Sequence, residues 1–473
     1  MILNPADEGF AARLRGQLPE DILSPPTAGY LEEPRGVYFG QGGLLARPRT
    51  TQQVASLIRA AHAARVAVVP FGGGTGLVGG QVMPNAAPLI VSLERMNKIR
   101  SVHPSENVLI AEAGAVLAEV QQAALDQDRL FPLSLAAEGS CRIGGNLATN
   151  AGGVNVLRYG NARDLCLGLE AVLPDGRIWN GLTRLRKDNT GYDLRNLLVG
   201  SEGTLGIITA TALKLYPVPA ERGTAILTVT SPAAALQLLS MARGRVGEAV
   251  SAFELIHAQG LAFLQETVPE VRHPFDTAPE WSVLIELGLT EGQHAATALE
   301  ELFSQAFEAG VVQDGVIAQS EAQRRDLWNI REHIPVANKR VGSVSSHDIS
   351  IPISAIPDFI DRGRTRIAEL GTFRINCFGH LGDGNLHYNV FPPKGHNRAE
   401  YAEQKPVVQQ AIHDLVHEFD GSISAEHGIG RLKAEDLVRY GDPVRLAAMQ
   451  SIKTVLDPHG IMNPGAVLKP AGT

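Results

Sequence analysis

Residues 70–80 have the sequence PFGGGTGLVGG, and this glycine-rich stretch is the strongest indication of the fold. It ends a short apolar run, 66–71, that predicts a strand, and a loop without Cβ atoms lets backbone N–H groups approach a pyrophosphate. Residues 74–79 also match GxGxxG, with Glu94 20 residues on. The following QVMPNAAP and LIVSL leave no room for the helix of ~10 residues that a Rossmann site needs. The stretch therefore predicts either a dinucleotide loop on another fold or a glycine turn without a ligand.

The flanking segments predict a mixed α and β chain. Before the loop, an i, i+3, i+4, i+7 pattern with Thr50 or Thr51 as cap predicts an amphipathic helix, whose apolar positions are Val54, Leu57, Ile58 and Ala61. After it, a helix over 117–127 leads to a second loop of small residues, 139–153, and Asp175 with Gly176 marks a hairpin. Two such loops about 70 residues apart suit a long ligand with a central pyrophosphate, so they favour a dinucleotide.

The composition narrows the class of protein. A chain of 473 residues predicts two or three domains, and 42 basic against 50 acidic residues give a charge of −8, which argues against nucleic-acid binding. Three cysteines, without a CxxC pair, exclude a disulfide framework and indicate a reducing compartment. No stretch reaches ~18 apolar residues. We therefore expect a cytoplasmic protein, with peripheral association with the inner membrane left open.

A second motif, RINCFGHLGDGNLHYNVF, predicts a pair of imidazoles. If Asp383 and Gly384 form a two-residue turn, His380 lies opposite His387, with Cβ atoms roughly 4.5 to 5.5 Å apart. Two imidazoles suit a divalent metal, and a carboxylate completes such a site. Glu426 in SAEHGIG is the candidate third ligand, with His427 beside it as a free base. A packed or exposed histidine pair is the alternative.

These motifs together resemble one family. PFGGGTGLVGG, the 139–153 loop, GSEGTLGIIT at 200–209, GHLGDGNLHYN, SAEHGIG and GIMNPG resemble the FAD-linked D-2-hydroxy acid dehydrogenases, flavoproteins of the vanillyl-alcohol oxidase type. The resemblance covers about 38–468. It implies an α+β fold with an FAD-binding domain of two α+β subdomains at 1–220. A cap domain with an antiparallel sheet flanked by helices, carrying the metal hairpin, is implied at 221–420, and a segment returning to the flavin at 421–473.

The resemblance also implies the cofactor site. The residues expected to contact FAD are Gly72, Gly73, Gly74, Thr75, Gly76, Gly139, Ser140, Gly145, Asn146, Thr149, Asn150, Gly153, Gly203, Ile208 and Asn463. Some relatives attach FAD through a His beside the first loop, whereas this chain has glycines and Thr75 there, so we expect non-covalent FAD. The matching metal ligands are His380, His387 and Glu426, which fit zinc or manganese better than calcium.

The expected chemistry follows from these groups. Oxidation of a 2-hydroxy acid removes the hydroxyl proton, for which we assign His427, while a hydride leaves C2 for the flavin, and a metal stabilises the developing alkoxide. Arg331 is the expected clamp for the substrate carboxylate and Asn389 reaches the substrate. A helix-surface role is the alternative for Arg331. Ser346 and Pro335 replace a Lys and a hydroxyl residue that resembling hydroxyglutarate enzymes carry, which tilts the substrate slightly towards D-lactate.

We therefore expect an FAD-dependent dehydrogenase that oxidises D-lactate or D-2-hydroxyglutarate to the 2-oxo acid. The alternatives are a non-catalytic flavoprotein subunit of a glycolate oxidase-like complex and a metal-dependent hydrolase. The electron acceptor is an electron-transferring flavoprotein, a quinone or a cytochrome, between which the sequence does not choose. A homodimer is left open, and nothing indicates a nucleic-acid partner.

Overall fold

The computed structural model describes residues 3–36 and 38–469, and within it the chain forms two compact units. The first unit comprises Met1–Gly152, Gly160–Val218 and Glu426–Thr473, and the second comprises Gly153–Tyr159 and Pro219–Ala425. The outermost ends of the domains expected from the sequence, residues 1, 2 and 470–473, lie outside the described residues. In the part that is described, no helix has both the length and the apolar character to cross a membrane.

Both units mix helices with sheets, which confirms the expected α+β class. The helices are α1 Glu8–Leu14, α2 Thr51–Ala64, α3 Leu117–Leu125, α4 Ile143–Ala148, α5 Val156–Tyr159, α6 Leu194–Leu198, α7 Pro232–Val246, α8 Ala258–Thr267, α9 Ala295–Glu308, α10 Glu321–Val341, α11 Ile356–Leu370, α12 Lys405–Glu418, α13 Ala434–Tyr440 and α14 Pro443–Leu456. The strands are β1 Leu23–Ser24, β2 Leu44–Ala46, β3 Val68–Phe71, β4 Leu89–Ser92, β5 Ile99–His103, β6 Val108–Glu112, β7 Arg129–Leu130, β8 Cys166–Val172, β9 Ile178–Gly181, β10 Ile207–Lys214, β11 Tyr216–Pro217, β12 Glu221–Val229, β13 Val250–His257, β14 Trp281–Leu289, β15 Val312–Ile317, β16 Asp348–Ser350, β17 Arg374–His380 and β18 Asn385–Phe391.

The first unit holds a four-stranded sheet of order β1-β2-β4-β3, in which β2, β4 and β3 run parallel. The predicted helix before the glycine loop is confirmed as α2, because the Thr50 hydroxyl accepts a hydrogen bond from Gln53 N at 3.2 Å and the predicted apolar stripe is buried. Residues 72–88, all of which the structure describes, contain no helix. The glycine loop therefore leaves β3 without the helix that a Rossmann site requires, as the sequence predicts.

The first unit also holds a five-stranded antiparallel sheet of order β5-β6-β10-β8-β9 and a two-stranded sheet of β7 and β11. The hairpin predicted at Asp175 and Gly176 is confirmed, since β8 and β9 pair with Val172 opposite Ile178. Gly176 has a φ of 82°, which a residue with a Cβ adopts reluctantly. The turn thus falls where the glycine permits it.

The second unit is built on a seven-stranded sheet of order β15-β12-β14-β13-β17-β18-β16, whose neighbours are all antiparallel. Helices α8 and α10 pack together, and their apolar side chains share a buried core with the sheet that includes Phe263, Trp328 and Phe391. The short segment Gly153–Tyr159 joins this unit, since α5 packs on β13 and Arg158 donates to the Gly288 carbonyl at 2.6 Å.

The histidine hairpin has a different register from the one that the sequence predicts. His387 pairs with Phe378, and His380 pairs with Glu254 of β13, so the predicted opposition of the two histidines is wrong. Residues 381–384 form a longer turn, which begins after His380, and Gly379 at the end of β17 has a φ of 141°. The reason is that His380 leaves the β18 ladder to join β13, a long-range pairing that a local turn motif does not reveal.

Candidate active site

The first unit contains an open cleft formed where the two glycine loops, the GSEG segment and the C-terminal segment meet. Twelve of the residues expected from the sequence line it, namely Gly72, Gly73, Gly74, Thr75, Gly76, Gly145, Asn146, Thr149, Gly203, Ile208, His427 and Asn463. The cleft is thus a single space reached by motifs that lie hundreds of residues apart in the chain.

The two glycine loops lie in backbone contact along this cleft. A Cβ placed on Gly73 would overlap the carbonyl oxygen of Ser140 and lie 2.9 Å from the Cα of Cys141. A Cβ on Gly72 would lie 3.4 Å from the Cα of Gly145. The first loop therefore has no space for a side chain at Gly73, whereas a Cβ at Gly72 would make ordinary contact, and the close approach of the two loops depends on the bare backbone of Gly73.

Four expected cofactor residues do not line the cleft. The Ser140 hydroxyl donates to the Ala137 carbonyl at 3.3 Å, and the Asn150 carboxamide oxygen accepts from Arg163 N at 2.9 Å. Gly139 has no described atom within 4 Å of an added Cβ, and Gly153 belongs to the second unit. Ser140 therefore contributes through its backbone, because its carbonyl oxygen packs against Gly73 of the first glycine loop.

The wall of the cleft contains a buried hydrogen-bond acceptor that has no donor among the described residues. Asn146 is 6% exposed, and its carboxamide oxygen makes no hydrogen bond to any described residue. A buried acceptor without a donor costs free energy, so a ligand with an N–H or O–H group at this place would be stabilised. Gln81, which the sequence analysis missed, donates to the Gly76 carbonyl at 2.8 Å and holds the first loop. These features fit a flavin dinucleotide.

Glu202, another residue missed from the sequence, fixes the segment that follows His427. One carboxylate oxygen accepts from Ile429 N at 2.7 Å and the other accepts from Gly430 N at 2.8 Å. Burial raises the pKa of Glu202, against the two backbone donors that lower it. Glu202 adopts a φ of 52°, which is uncommon outside glycine. Its position inside the glycine-rich motif GSEGTLG is the sequence feature that could have identified it.

The C-terminal segment is tied to the first glycine loop by Arg431 and Asn463. Arg431 donates to the Gly79 carbonyl at 2.9 Å and to the Asn463 carboxamide oxygen at 2.9 Å, and burial lowers the pKa of Arg431 to about 10. Asn463 in turn donates to the Glu202 carbonyl at 2.8 Å. His427 consequently lies at the cleft on a segment held from both sides, with its Nε2 3.6 Å from an oxygen of Glu426.

In the second unit, His380 and His387 come together despite the changed register. Their ring centroids are 5.7 Å apart at an interplanar angle of 75°, and a nitrogen of one lies within 4.8 Å of a nitrogen of the other. The Nδ1 of His380 lies 2.6 Å from an oxygen of the buried Glu254. An ionised carboxylate only accepts, so Nδ1 carries the proton and Nε2 of the neutral ring is the nitrogen that can bind a metal.

The expected substrate clamp, Arg331, is buried rather than exposed on the helix surface. Its Nε donates to the second oxygen of Glu254 at 2.7 Å, and its guanidinium lies 4.9 Å from the ring centroid of Phe378. Burial alone would raise the pKa of Glu254, but His380 and then Arg331 hold it down at about 2. Glu254 is therefore an anion with a cationic partner, and no motif in the sequence pointed to it.

The structure also gives the positions of Asn389, Ser346 and Pro335, the other residues expected near the substrate. The Asn389 carboxamide oxygen accepts from His347 N at 3.1 Å, so this side chain is partly engaged within the sheet. Ser346 is exposed, with its hydroxyl 2.6 Å from that of Ser343, and Pro335 lies exposed inside α10. Ser346 therefore supplies no cation in place of the lysine, and Pro335 supplies no hydroxyl group at its position.

The chain matches two family models. Residues 43–181 match the FAD binding domain, and residues 218–467 match the C-terminal domain of FAD linked oxidases. Together these models cover both units, and the second alone spans more than half of the chain. An FAD-binding domain and membership of an oxidoreductase family are thereby established.

Curated relatives agree along almost the whole chain. The mitochondrial D-2-hydroxyglutarate dehydrogenase of Bos taurus is 40% identical over 451 residues, which is 95% of this chain and 80% of the relative. The D-2-hydroxyglutarate dehydrogenase of Xanthomonas citri pv. viticola is 38% identical over 426 residues, 90% of this chain and 89% of the relative.

A solved structure shows the same fold. That of p-cresol methylhydroxylase with substrate bound is similar, with a TM-score of 0.76 at 14% identity over 98% of each chain. The vanillyl-alcohol oxidase type of fold predicted from the motifs is confirmed. The chain therefore belongs to the family of FAD-linked D-2-hydroxy acid dehydrogenases.

Proposed function

We propose that this chain oxidises a D-2-hydroxy acid to the 2-oxo acid, using non-covalent FAD in the cleft of the first unit and a divalent metal. The observation that carries the proposal is the course of SAEHGIG. Ala425 N donates to the carbonyl of Asp348, the register partner of His387, and His427, two residues further along the chain, lines the cleft. One short motif thus runs from the strand beside the imidazole pair to the flavin cleft.

FAD fits the cleft by the chemistry of its lining. The glycine-rich backbone of residues 72–76 suits the pyrophosphate, and the carboxamide oxygen of Asn146 suits a polar group of the isoalloxazine. No histidine is present at residues 73–75, where some relatives attach FAD covalently, and this supports non-covalent attachment. When bound, FAD supplies the acceptor for the hydride that leaves C2.

A divalent metal fits the donor set of His380, His387 and Glu426. Two neutral imidazoles and one carboxylate suit zinc, with manganese as the alternative. When bound, the ion would stabilise negative charge that develops on the hydroxyl oxygen. Within the chain itself, Glu254 accepts the hydrogen bond from Nδ1 of His380, so that in the neutral ring the lone pair lies on Nε2.

The remaining roles follow from geometry. His427 takes the hydroxyl proton, since it lies at the cleft on a segment that Glu202 and Arg431 hold in place. Arg331 binds the substrate carboxylate, because a guanidinium and a carboxylate pair through two parallel hydrogen bonds. Asn389 contributes a further polar contact through its amide nitrogen.

Two substrates of this class are the candidates. The relatives quoted above are named for D-2-hydroxyglutarate. Ser346 and Pro335, which remove one cation and one hydroxyl, favour a substrate with a single carboxylate, such as D-lactate. An electron-transferring flavoprotein, a quinone or a cytochrome would be the external electron acceptor. We place the protein in the cytoplasm, with peripheral association with the inner membrane and a homodimer both left open.

The proposal is tested by anaerobic mixing of the purified flavoprotein with D and L forms of lactate, malate and 2-hydroxyglutarate. Bleaching of the oxidised flavin by D forms alone is the expected result, with His427→Gln bleaching at least tenfold more slowly because the base is gone. Protein that is colourless, or that no D-2-hydroxy acid bleaches, contradicts the proposal and favours a hydrolase or a non-catalytic subunit.

A further inference from the structure

Glu254 is a carboxylate without any exposed surface, at the centre of the seven-stranded sheet. Its two oxygens have different partners: one lies 2.6 Å from Nδ1 of His380, and the other accepts from Nε of Arg331 at 2.7 Å. A buried charge is costly unless it is paired and hydrogen-bonded, and here both oxygens are engaged. The anion therefore depends on the two residues that it holds.

The same sheet provides a comparison. Glu286, on the neighbouring strand β14, accepts hydrogen bonds from Arg324 at 2.8 Å and from Trp328 at 2.6 Å. Arg324 and Arg331 lie two turns apart on α10, so each pairs this helix to a carboxylate of the sheet. Glu286 also accepts from the Thr224 hydroxyl of β12 at 3.0 Å, and none of these three partners is an imidazole.

Glu254 differs because both of its partners have proposed roles in the reaction. We propose that Glu254 is a positioning residue that sets the tautomer of His380 for metal binding and orients Arg331 for the substrate carboxylate. This inference rests on the proposed function and names a residue that serves two parts of the site at once.

The arrangement of His380 supports the first role. Glu254 and His380 are register partners on adjacent strands, so the sheet itself fixes the direction of the imidazole. With the proton held on Nδ1, the lone pair of Nε2 points away from the carboxylate. An imidazole without this acceptor would exchange between two tautomers, of which only one presents Nε2 to a metal.

The arrangement of Arg331 supports the second role. Glu254 takes only Nε, and no other hydrogen bond of Arg331 is found within residues 3–36 and 38–469. The ring of Phe378 lies against the guanidinium and limits its rotation. The two terminal nitrogens consequently stay available as a pair, which is the edge that binds a carboxylate through two parallel bonds.

The test uses Glu254→Gln with Glu286→Gln as the matched control in the flavin-loaded protein. Zinc affinity, measured by competition with a chromophoric chelator, is expected to fall about 10- to 100-fold in Glu254→Gln and to stay unchanged in Glu286→Gln. The KM for the D-2-hydroxy acid is expected to rise in Glu254→Gln alone. Both variants are expected to lower Tm, since Glu254→Gln removes a buried ion pair and Glu286→Gln removes a partly buried one.

Glu254→Asp retains the charge and serves if Glu254→Gln does not fold. It is expected to bind zinc more weakly than wild type but with the same single-site stoichiometry, because the shorter side chain reaches His380 poorly. Wild-type zinc affinity and KM in Glu254→Gln, or in a folded Glu254→Asp, overturn the inference while the proposed function stands. Wild-type protein that binds no zinc and is not bleached by D-2-hydroxy acids overturns both.

Discussion

Replacing Gly73 with Ala is expected to weaken FAD binding without unfolding the first unit. The added methyl group would overlap the Ser140 carbonyl and lie 2.9 Å from the Cα of Cys141, which is 0.5 Å closer than the 3.4 Å at which ordinary contact begins. Both neighbours are backbone atoms, so no side chain can rotate away. The second glycine loop must move, and it carries Gly145 and Asn146 into the cleft wall.

The size of the effect follows from the cost of overpacking. Forcing a methyl group into a filled space costs about 1–3 kcal/mol. If that strain is expressed in the loop that contacts the dinucleotide, FAD affinity falls about 5- to 150-fold. Gly139→Ala is the matched control, because it lies in the same loop region with no described atom within 4 Å of the added Cβ and does not line the cleft.

The assay is the titration of deflavinated protein with FAD, followed by the change in flavin fluorescence. Thermal unfolding of each apoprotein shows separately whether the fold is kept. Equal FAD dissociation constants for Gly73→Ala, Gly139→Ala and wild type would refute the reasoning, because the tight approach of the two loops would then have no bearing on the cofactor.

Three further changes test other parts of the account. Glu202→Gln loses one of the two charge-assisted bonds to Ile429 N and Gly430 N, so the free energy of unfolding in urea should fall by about 1.5–3 kcal/mol; an unchanged value would contradict the clamp. Ser346→Lys restores a cation, so turnover of D-2-hydroxyglutarate relative to D-lactate should rise, and a constant ratio in paired assays would remove the argument for a smaller substrate. Burial lowers the pKa of His257 from 6.5 to about 4, so the folded state binds this proton more weakly than the unfolded chain and stability should fall as pH drops from 6.5 towards 4. His257→Asn should reduce that pH dependence in denaturation curves, and an identical profile would exclude His257 as a cause.

Local patterns in the sequence predicted the local parts of this fold. The α2 helix follows from its apolar period and its Thr50 cap, and the β8–β9 hairpin follows from Asp175 and Gly176, because each signal lies within the element that it specifies. The lack of a helix after residues 72–80 was readable for the same reason. The order of the motifs along the chain then indicated the family, because several short segments resemble that family together.

Long-range pairing was the part that the sequence could not supply. The turn at Asp383 and Gly384 predicted that His380 lies opposite His387, whereas His380 pairs with Glu254, which lies 126 residues away in the chain. Glu202 and Glu254 were missed because the partners that define them, backbone N–H groups and buried side chains, come from distant segments. A carboxylate that is isolated in the sequence carries no sign that it will be buried.

We propose that a metal held by the imidazole pair and a flavin in the cleft act on one substrate. The most direct measurement is the rate of anaerobic flavin bleaching by D-2-hydroxyglutarate and D-lactate, before and after the protein is stripped of metal with dipicolinate. We predict that stripping abolishes bleaching while FAD stays bound, and that added zinc or manganese restores it. Bleaching at the same rate in metal-free protein would contradict the account.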